Sequence, residues 1–352
     1  MTDQSSPSSS HLSVDMATTE VAHTTGENTM TSSSSRGIEF YFHCALVVIG
    51  FVGTAANALI LYALVASKQH KKHVLIFNQN ALDLFASIFM IISYSLKLCN
   101  IYLTGSLGYY LCVLVVSDGL MECGIIGSII NLALITIGRY LRVVHSVWSK
   151  KKQRKWMRYA AGAFAWIAAI VYNIPLVFTT TAVVDGTCYP YAFWGNKMDR
   201  VIAIVCSFMI FYVMILIIFI FCYWSILVVI RRQARVMASH NDPGPSAATG
   251  QTLSDHIQSN VLKTMILVSG FFAISSFPNY VCLLFLGLNP NPTLPDSGYY
   301  ASVFISFLYT CSNPFIYATK FDPVRKILLD KFCCKKTFGQ APGNAGIELQ
   351  LT

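Results

Sequence analysis

The stretch Ala133–His145, ALITIGRYLRVVH, shows an apolar segment that turns basic at Arg139. A mostly apolar run precedes it, from residue 109 to residue 137. A helix of about 20 apolar residues crosses the roughly 30 Å hydrocarbon core of a bilayer. A run of this length that ends in Lys and Arg is typical of a membrane-spanning helix reaching the cytoplasmic face. We therefore predict that Arg139 lies at the cytoplasmic end of such a helix.

Similar runs recur along the chain. They cover residues 38–66, 74–98, 157–181, 201–230, 261–287 and 298–319. The 352 residues are 55% hydrophobic and only 12% charged, which is too few charges for the surface of a soluble domain of this length. Because lipid offers no partner to backbone N–H and C=O groups, the runs are expected to be helices. The sequence predicts an all-α integral membrane bundle of seven transmembrane helices over residues 38–320.

The basic residues show which side of the bundle faces the cytoplasm. All but four of the 25 Lys and Arg residues fall in the helix connections and tail of one side. The exceptions are Arg36, Lys97, Lys197 and Arg200. Cytoplasmic connections carry the excess of Lys and Arg in membrane proteins. We predict an extracellular N-terminus, a cytoplasmic C-terminus and a plasma-membrane location. The net charge of +9 is then a consequence of this topology and does not indicate nucleic-acid binding.

The two tails differ in composition. Residues 1–37 are rich in Ser and Thr and are predicted to be a disordered extracellular tail. Residues 321–336 alternate apolar and basic residues at helical spacing, which predicts a short amphipathic helix on the cytoplasmic membrane surface, followed by a cytoplasmic tail over 337–352. Cys333 and Cys334 end this segment and suit palmitoylation, although two free thiols are the alternative.

Several features inside the apolar runs indicate internal structure. Asp83 is costly in lipid without a partner, so we predict a polar network through the centre of the bundle. A sodium ion or ordered water could complete that network, since oxygen ligands suit a hard cation. Cys112 and Cys188 are the two cysteines that clearly face the oxidising side, and we predict a disulfide between them. The prolines within helices could act as pivots or set a static bend.

Motifs spread along the chain carry a family resemblance. They are GTAAN with Asn57, NQNALD with Asp83, Cys112, GRY at 138–140, Trp166, Cys188, Tyr223, Phe272 with Pro278, and NPFIY at 313–317. In this order and spacing they resemble the rhodopsin-like (class A) G-protein-coupled receptors over about residues 38–336. The resemblance implies a receptor that binds an extracellular peptide or small organic ligand and activates a heterotrimeric G protein. It also implies arrestin, a receptor kinase and membrane lipid as partners, with no cofactor except an allosteric sodium ion.

The resemblance assigns roles to individual residues. The implied sodium pocket consists of Asp83, Ser128 and Asn313. The implied activation switch consists of Arg139, Tyr140, Tyr223, Phe272, Pro278, Asn313, Pro314 and Tyr317. Arg139 would release its inactive contacts and admit the G protein, while Tyr223 and Tyr317 would swing inward to meet it. Ile129 would pack with Phe272 beneath the ligand.

The chain departs from the family pattern at several positions. Gly138 and Gln258 replace the acids that usually hold the arginine, Ile215 replaces a proline, and Ser276 replaces a tryptophan. Two alternatives follow for Arg139. Backbone carbonyls or Tyr223 could hold it, or a weakly restrained inactive state could give high basal signalling.

A further departure concerns the third helix. Cys112 lies 27 residues before Arg139, about two more than in the family, which predicts either a local irregularity or a register shift.

The ligand is only partly constrained by the sequence. Phe307 replaces the retinal lysine of light-sensing members, and Met121 replaces the acid of monoamine receptors. Glu122 and Asp118 are four residues apart, hence on one helix face, and could bind a cationic ligand; alternatively one of them pairs with Lys97. The candidate pocket comprises Lys97, Asp118, Met121, Glu122, Ser276 and Phe307. Aromatic residues near the outer ends could line its mouth or form an interfacial belt, namely Tyr109, Tyr110, Tyr189, Tyr191, Trp194, Tyr280, Tyr299 and Tyr300.

Other classes of membrane protein fit the sequence less well. A transporter or channel predicts internal repeats, broken helices or a chain of titratable groups across the membrane. An intramembrane enzyme needs paired acids, a nucleophile with its base, or a metal-ligand cluster within the bundle. The sequence shows none of these patterns, so a receptor is preferred, with a transporter or channel as the alternative.

Overall fold

A computed structural model describes residues 28–152, 154–239, 248–289, 296–320 and residue 325. Its α-helices are α1 Asn28–Ala66, α2 Val74–Cys99, α3 Gly105–Leu111, α4 Gly119–Val143, α5 Ser146–Lys152, α6 Lys155–Thr180, α7 Lys197–Phe208, α8 Met214–Ser239, α9 Ala248–Leu288 and α10 Asp296–Lys320. A π-helix over Cys112–Val116 follows α3, and another over Met209–Val213 joins α7 to α8. Strands β1 (Ala182–Val184) and β2 (Thr187–Tyr189) form a hairpin between α6 and α7.

Among the described residues, six stretches are long and apolar enough to cross a membrane. They are Gly37–Ala66, Val74–Cys99, Gly105–Val143, Lys155–Thr180, Lys197–Gln233 and Lys263–Leu288. Helix α10 covers the seventh predicted run but is less apolar, since it carries buried polar residues such as Thr310 and Asn313. It packs between α1 and α9, which shelter these polar groups. The prediction of an all-α membrane bundle is confirmed, with the short hairpin as an addition.

The bundle exposes apolar residues and buries polar ones. Large side chains such as Phe51, Ile167 and Ile220 are exposed, while Asp83 and Asn313 are completely buried. This pattern is the reverse of that in a soluble protein, because lipid tails solvate apolar side chains and leave polar groups without partners. Helix α4 lies in the middle of the bundle and contacts α2, α6 and α8.

The third membrane helix is broken near its outer end, as the sequence predicts. After the π-helix, Ser117 N–H donates to the Cys112 carbonyl oxygen at 2.8 Å, and Asp118 takes a left-handed conformation with φ of 66°. Helix α4 then starts at Gly119. The extra residues before Arg139 are taken up here. Our prediction that Asp118 and Glu122 share one helix face is wrong, because Asp118 precedes α4.

The hairpin covers the outer end of the bundle and is fixed there. Val183 lies opposite Cys188 across the strands, and Cys188 forms the predicted disulfide with Cys112, with 5.5 Å between the Cα atoms. The turn includes Gly186 at φ 75°, where an added Cβ would lie 2.0 Å from the Tyr102 ring. A left-handed conformation with no room for a side chain requires glycine at this position.

The chain ends differ from the sequence predictions or lie outside the described residues. Helix α1 begins at Asn28, so the predicted tail over residues 1–37 is helical in its last part. A helix already nucleated adds one hydrogen bond for each further residue, so α1 can extend beyond its apolar run. The predicted surface helix over 321–336, with Cys333 and Cys334, lies outside the described residues apart from Arg325, as does the tail over 337–352.

Candidate functional site

A cavity of about 930 Å³ lies beneath the hairpin, at the disulfide end of the bundle. Its walls come from α1, α2, α4, α6, α7, α9 and α10, and Cys188 and Tyr191 lie at its outer side. Clefts of roughly 300–1,000 Å³ lined by aromatic residues and a few polar groups are typical of small-ligand sites. The cavity is therefore the candidate ligand site.

The structure brings four of the six predicted pocket residues together. Lys97, Asp118, Glu122 and Phe307 line the cavity, whereas Met121 and Ser276 do not. Met121 is 1% exposed and packs in a buried apolar cluster with Met90 and Leu46. Ser276 is also buried away from the cavity, so the family register does not place either side chain toward a ligand.

Asp118 is neutralised inside the protein. Lys97 Nζ lies 2.7 Å from Asp118 Oδ2, and the Ser93 hydroxyl also donates to this carboxylate. Lys97 Nζ stands 4.2 Å from the centre of the Tyr94 ring, within the range of a cation–π contact. The structure thus contains the alternative in which Lys97 pairs with one of the acids. The left-handed backbone at Asp118 turns its side chain toward α2 and makes this pair.

The outer aromatic residues divide into two groups. Tyr191, Trp194, Tyr280 and Tyr299 line the cavity. Tyr109, Tyr110, Tyr189 and Tyr300 do not belong to its lining. Burial raises the pKa of the Tyr191 phenol well above its ordinary value, and the nearby carboxylates add to this effect. Tyr191 therefore presents a neutral hydroxyl to the cavity at physiological pH.

The predicted polar network lies at the centre of the bundle. Asn313 Nδ2 donates to Asp83 Oδ2 at 2.7 Å. Beside this pair, the buried Gln79 amide donates to the Ser128 hydroxyl and to Tyr309 Oη, the latter at 3.2 Å. Sequence reasoning missed Gln79 and Tyr309, although a glutamine inside the apolar run and next to the NQNALD asparagines was a visible signal.

The same network bears on the implied sodium ion. Asp83 Oδ1 and Asn313 Oδ1 are buried oxygens without a hydrogen-bond partner among the described residues, and Asn57 Oδ1 is a third. Such oxygens are suitable ligands for a hard cation. The Ser128 hydroxyl, in contrast, is already in contact with Gln79 and Tyr309. Two of the three implied sodium-pocket residues therefore fit the ion.

Arg139 lies near the C-terminal end of α4, without an acidic partner among the described residues. Its Nε is buried and makes no hydrogen bond to the residues that the structure describes. The Tyr223 hydroxyl, one of the groups that could hold it, instead contacts Thr136 Oγ1 at 3.2 Å and Ser269 Oγ at 2.9 Å. In the described part of the chain, Arg139 makes no hydrogen bond to Tyr223 or to a backbone carbonyl. The alternative of a weakly restrained arginine is therefore better supported.

The surroundings of Arg139 are basic. Arg142 Nε donates to the Gly138 carbonyl oxygen at 2.9 Å, one turn away. Burial, followed by the positive charges of Arg139, Lys72 and Arg142, lowers the pKa of His73 to about 4. His73 is therefore neutral at physiological pH. The end of the bundle opposite the hairpin therefore carries a concentration of positive charge suited to an anionic group.

The other predicted switch residues lie in or against one buried core. Phe272 is completely buried, with its ring centre 5.4 Å from that of Tyr309, and it shares the core with Ile129, Tyr223 and Tyr317. Tyr140 packs at the edge of this core, and its hydroxyl lies 3.2 Å from His145 Nε2.

The prolines of the switch occur within helices. Pro278 is in α9 and Pro314 is in α10. The structure thus brings Tyr140, Tyr223, Phe272 and Tyr317 to one core, while the roles of all the switch residues remain predictions.

Comparisons with known proteins agree with this arrangement. A family model described as "7 transmembrane receptor (rhodopsin family)" matches residues 56–317. The chain is 24% identical to galanin receptor type 1 of Mus musculus, covering 85% of this chain and 83% of the relative. It is 27% identical to C-C chemokine receptor type 8 of Mus musculus, covering 82% and 78%. It is 24% identical to melatonin receptor type 1A of Gallus gallus, covering 85% and 82%. The crystal structure of squid rhodopsin superposes with a TM-score of 0.69 at 17% identity, over 84% of this chain and 86% of that one, which shows a common fold. The chain belongs to the rhodopsin family of seven-transmembrane receptors.

Proposed function

We propose that the chain is a cell-surface receptor that binds a peptide or small organic ligand in the outer cavity and activates a heterotrimeric G protein at its cytoplasmic opening. One observation carries the proposal. Helix α4 has Glu122 of the cavity in its first turn and Arg139 of the basic opening near its last turn. The helical rise separates them by about 25 Å, so one rigid element joins two distinct sites.

The two sites would communicate through a change in the population of two bundle conformations. A ligand shifts such an equilibrium only if it binds one conformation more tightly. The buried core around Phe272 lies between the cavity and Arg139, and the helix prolines Pro278 and Pro314 allow bending there. In the active conformation α9 would move outward and expose Arg139 to an anionic part of the G protein. Arrestin and a receptor kinase would then use the same opening.

The orientation follows from charge and redox chemistry. A disulfide forms on the oxidising side of the membrane, so the hairpin and the cavity would face outward, together with the N-terminus. The basic connections around Arg142 and Arg158 would then face the cytoplasm, as the positive-inside rule requires. These features support a multi-pass receptor of the plasma membrane.

The relatives do not select a ligand. They are named for galanin, melatonin and C-C chemokines, which are different ligands for receptors of similar sequence. We also propose a sodium ion beside Asp83 and Asn313 in the inactive conformation. Its support is the two buried oxygens that lack a hydrogen-bond partner among the described residues.

The role of Arg139 provides the test of the proposal. Wild type and Arg139→Ala are expressed at matched surface density with representatives of each G-protein class, and G-protein dissociation is measured without ligand and across a broad ligand screen. Arg139→Ala should abolish the response. Arg142→Ala is the matched control, since Arg142 is an exposed arginine one turn away that should matter less. Equal responses from wild type and Arg139→Ala would refute the role. Solute flux through the chain in vesicles, without G-protein activation, would favour a transporter.

A further inference from the structure

One acid in the cavity remains without a counter-charge. The carboxylates of Glu39, Asp118 and Glu122 line the cavity together with the cations of Lys97 and Arg200. Lys97 is paired with Asp118, and Arg200 Nη2 donates to the carbonyl oxygen of Leu286 at 3.1 Å. Glu39 lies exposed near the opening. Within the described part of the chain, Glu122 has no ion pair and no hydrogen-bonded side-chain partner.

Two opposing effects act on the charge of Glu122: burial in the bundle disfavours the carboxylate, whereas the start of α4 favours it. Glu122 lies in the first turn of α4, where the N-terminal end of the helix dipole stabilises a negative charge. A carboxylate that faces a partly dry cavity still needs donors or a cation to offset the loss of water. Lys97 is close enough to act on Glu122 electrostatically, but its ammonium is bonded to Asp118. The local structure thus presents an acceptor that the protein itself does not satisfy.

A second group in the same cavity lacks a donor. Asn279 on α9 lines the cavity, and its Oδ1 is buried without a hydrogen-bond partner among the described residues. Buried acceptors of this kind are nearly always satisfied in the functional state of a protein. A carboxyl group and an amide oxygen without donors suit a ligand that brings N–H groups and a positive charge, which would also stabilise the charged form of Glu122.

The aromatic lining suits the same chemistry. Tyr172, Tyr191 and Tyr280 lie close enough to Glu122 to interact with it electrostatically, and all three line the cavity. The faces of aromatic rings attract cations within about 6 Å. A cation held by Glu122 would therefore be surrounded by ring faces and hydroxyls in place of water.

We propose that this receptor recognises a ligand that carries a protonated amine or a guanidinium group, and that Glu122 accepts hydrogen bonds from that group. Asn279 contributes a second acceptor. Asp118 is already bonded to Lys97 and therefore does not compete with Glu122 for the cation. The inference rests on the proposed function and names the chemical class of its ligand. Met121, at the position of the acid in monoamine receptors, is buried and has no part in it.

Small probes test the class of ligand directly. The full chain is purified in lipid nanodiscs, and its thermal unfolding is followed over a concentration series of phenethylamine, 2-phenylethanol or phenylacetate. These probes share a ring and differ in charge. A charged hydrogen bond at a part-buried site corresponds to about a ten- to hundredfold gain in affinity. Wild type should bind the amine more tightly than the alcohol by this factor and show no preference for the acid.

Matched variants show whether Glu122 causes the preference. Glu122→Gln should remove the amine preference while leaving binding of the alcohol unchanged. Glu39→Gln removes an acid near the opening and should retain the preference, which distinguishes a specific contact from general attraction. If Glu122→Gln fails to fold, Asn279→Leu gives a second test, because it should weaken binding of the amine more than that of the alcohol.

Several outcomes would overturn the inference. One is that the amine and the alcohol stabilise wild type equally, or that neither stabilises it. Another is that Glu122→Gln still binds the amine more tightly than the alcohol. The assay contains no G protein, so it is independent of the proposed function. Amine binding by a receptor that activates no G protein would refute the function and leave the site intact. G-protein activation by ligands without a cation would refute the inference about Glu122 and leave the proposed function intact.

Discussion

Replacing Gly138 by Asp tests whether the missing acid beside Arg139 leaves the inactive receptor weakly restrained. A Cβ built at Gly138 meets only Arg142 Nη2, at 3.8 Å, which is an ordinary van der Waals contact. The substitution therefore fits without displacing other groups. The new carboxylate would lie next to Arg139 in sequence and beside Arg142 in space.

The expected size of the effect follows from the partner that the carboxylate finds. Replacing a glycine in the helix interior stabilises α4 by about 0.5–1 kcal/mol for Ala and by a few tenths of a kcal/mol for Asn or Asp, whose helix propensities are lower. A pair with exposed Arg142 adds at most about 1 kcal/mol. A hydrogen bond to the part-buried Arg139 contributes about 1.5–3 kcal/mol, which would lower the active fraction about ten- to hundredfold. A large effect therefore identifies Arg139 as the partner.

The assay is basal nucleotide exchange on the G protein, measured without ligand in membranes with equal receptor density. Gly138→Ala controls for the helix backbone, and Gly138→Asn matches Asp in shape without its charge. We expect measurable basal exchange in wild type, little change in the two controls, and a large decrease in Gly138→Asp. Exchange by Gly138→Asp equal to or above that of Gly138→Asn would contradict the idea that charge at this position restrains Arg139.

Three further predictions concern other parts of the bundle. Lys97→Gln and Asp118→Asn should show a coupling energy of about 1–3 kcal/mol in a double-mutant cycle of thermal stability, because both side chains are only 19% exposed and solvent screens the pair weakly. Losses of stability that simply add would argue against the pair. Asp83→Asn should remove any stabilisation by sodium relative to potassium, and a retained sodium effect would exclude the proposed site. His73 has a lowered pKa in the folded chain, so its proton uptake costs stability as the pH falls from about 6.5 to about 4. His73→Asn should remove part of this loss of stability, by less than about 3 kcal/mol because solvent screens a partly exposed group. If unfolding of the variant has the same pH profile as wild type, His73 is not responsible.

The parts of the fold that depend on lipid could be predicted from sequence. Solvation alone explains why apolar runs of membrane length form helices and why Asp83 needs polar partners in lipid. The helices and the central polar network have the predicted form. The disulfide followed from compartment, since Cys112 and Cys188 were the cysteines on the oxidising side. The hairpin was not predicted, although Asp185–Gly186 is a common hairpin turn, because strands of three residues are too short to show an alternating pattern.

The parts of the site that depend on local geometry could not be predicted in the same way. The sequence left open whether Asp118 or Glu122 pairs with Lys97, since regular helical spacing treats the two acids alike. The left-handed residue at Asp118 decides the matter by ending that regularity. Met121 and Ser276 were assigned to the pocket by the family register, and packing in this chain turns them elsewhere. Gln79 and Tyr309 meet only through tertiary contact between α2 and α10.

The break at Ser117–Asp118 has a mechanical consequence. The segment outside the break is joined covalently to the hairpin through Cys112, and the break itself is tied to α2 by Asp118. A turn of α4 about its own axis would therefore leave these outer parts in place, although it would have to break the contacts of α4 with α2, α6 and α8. Because α4 is a continuous helix, a ligand that pulls on Glu122 at one end would rotate Arg139 at the other through nearly the same angle.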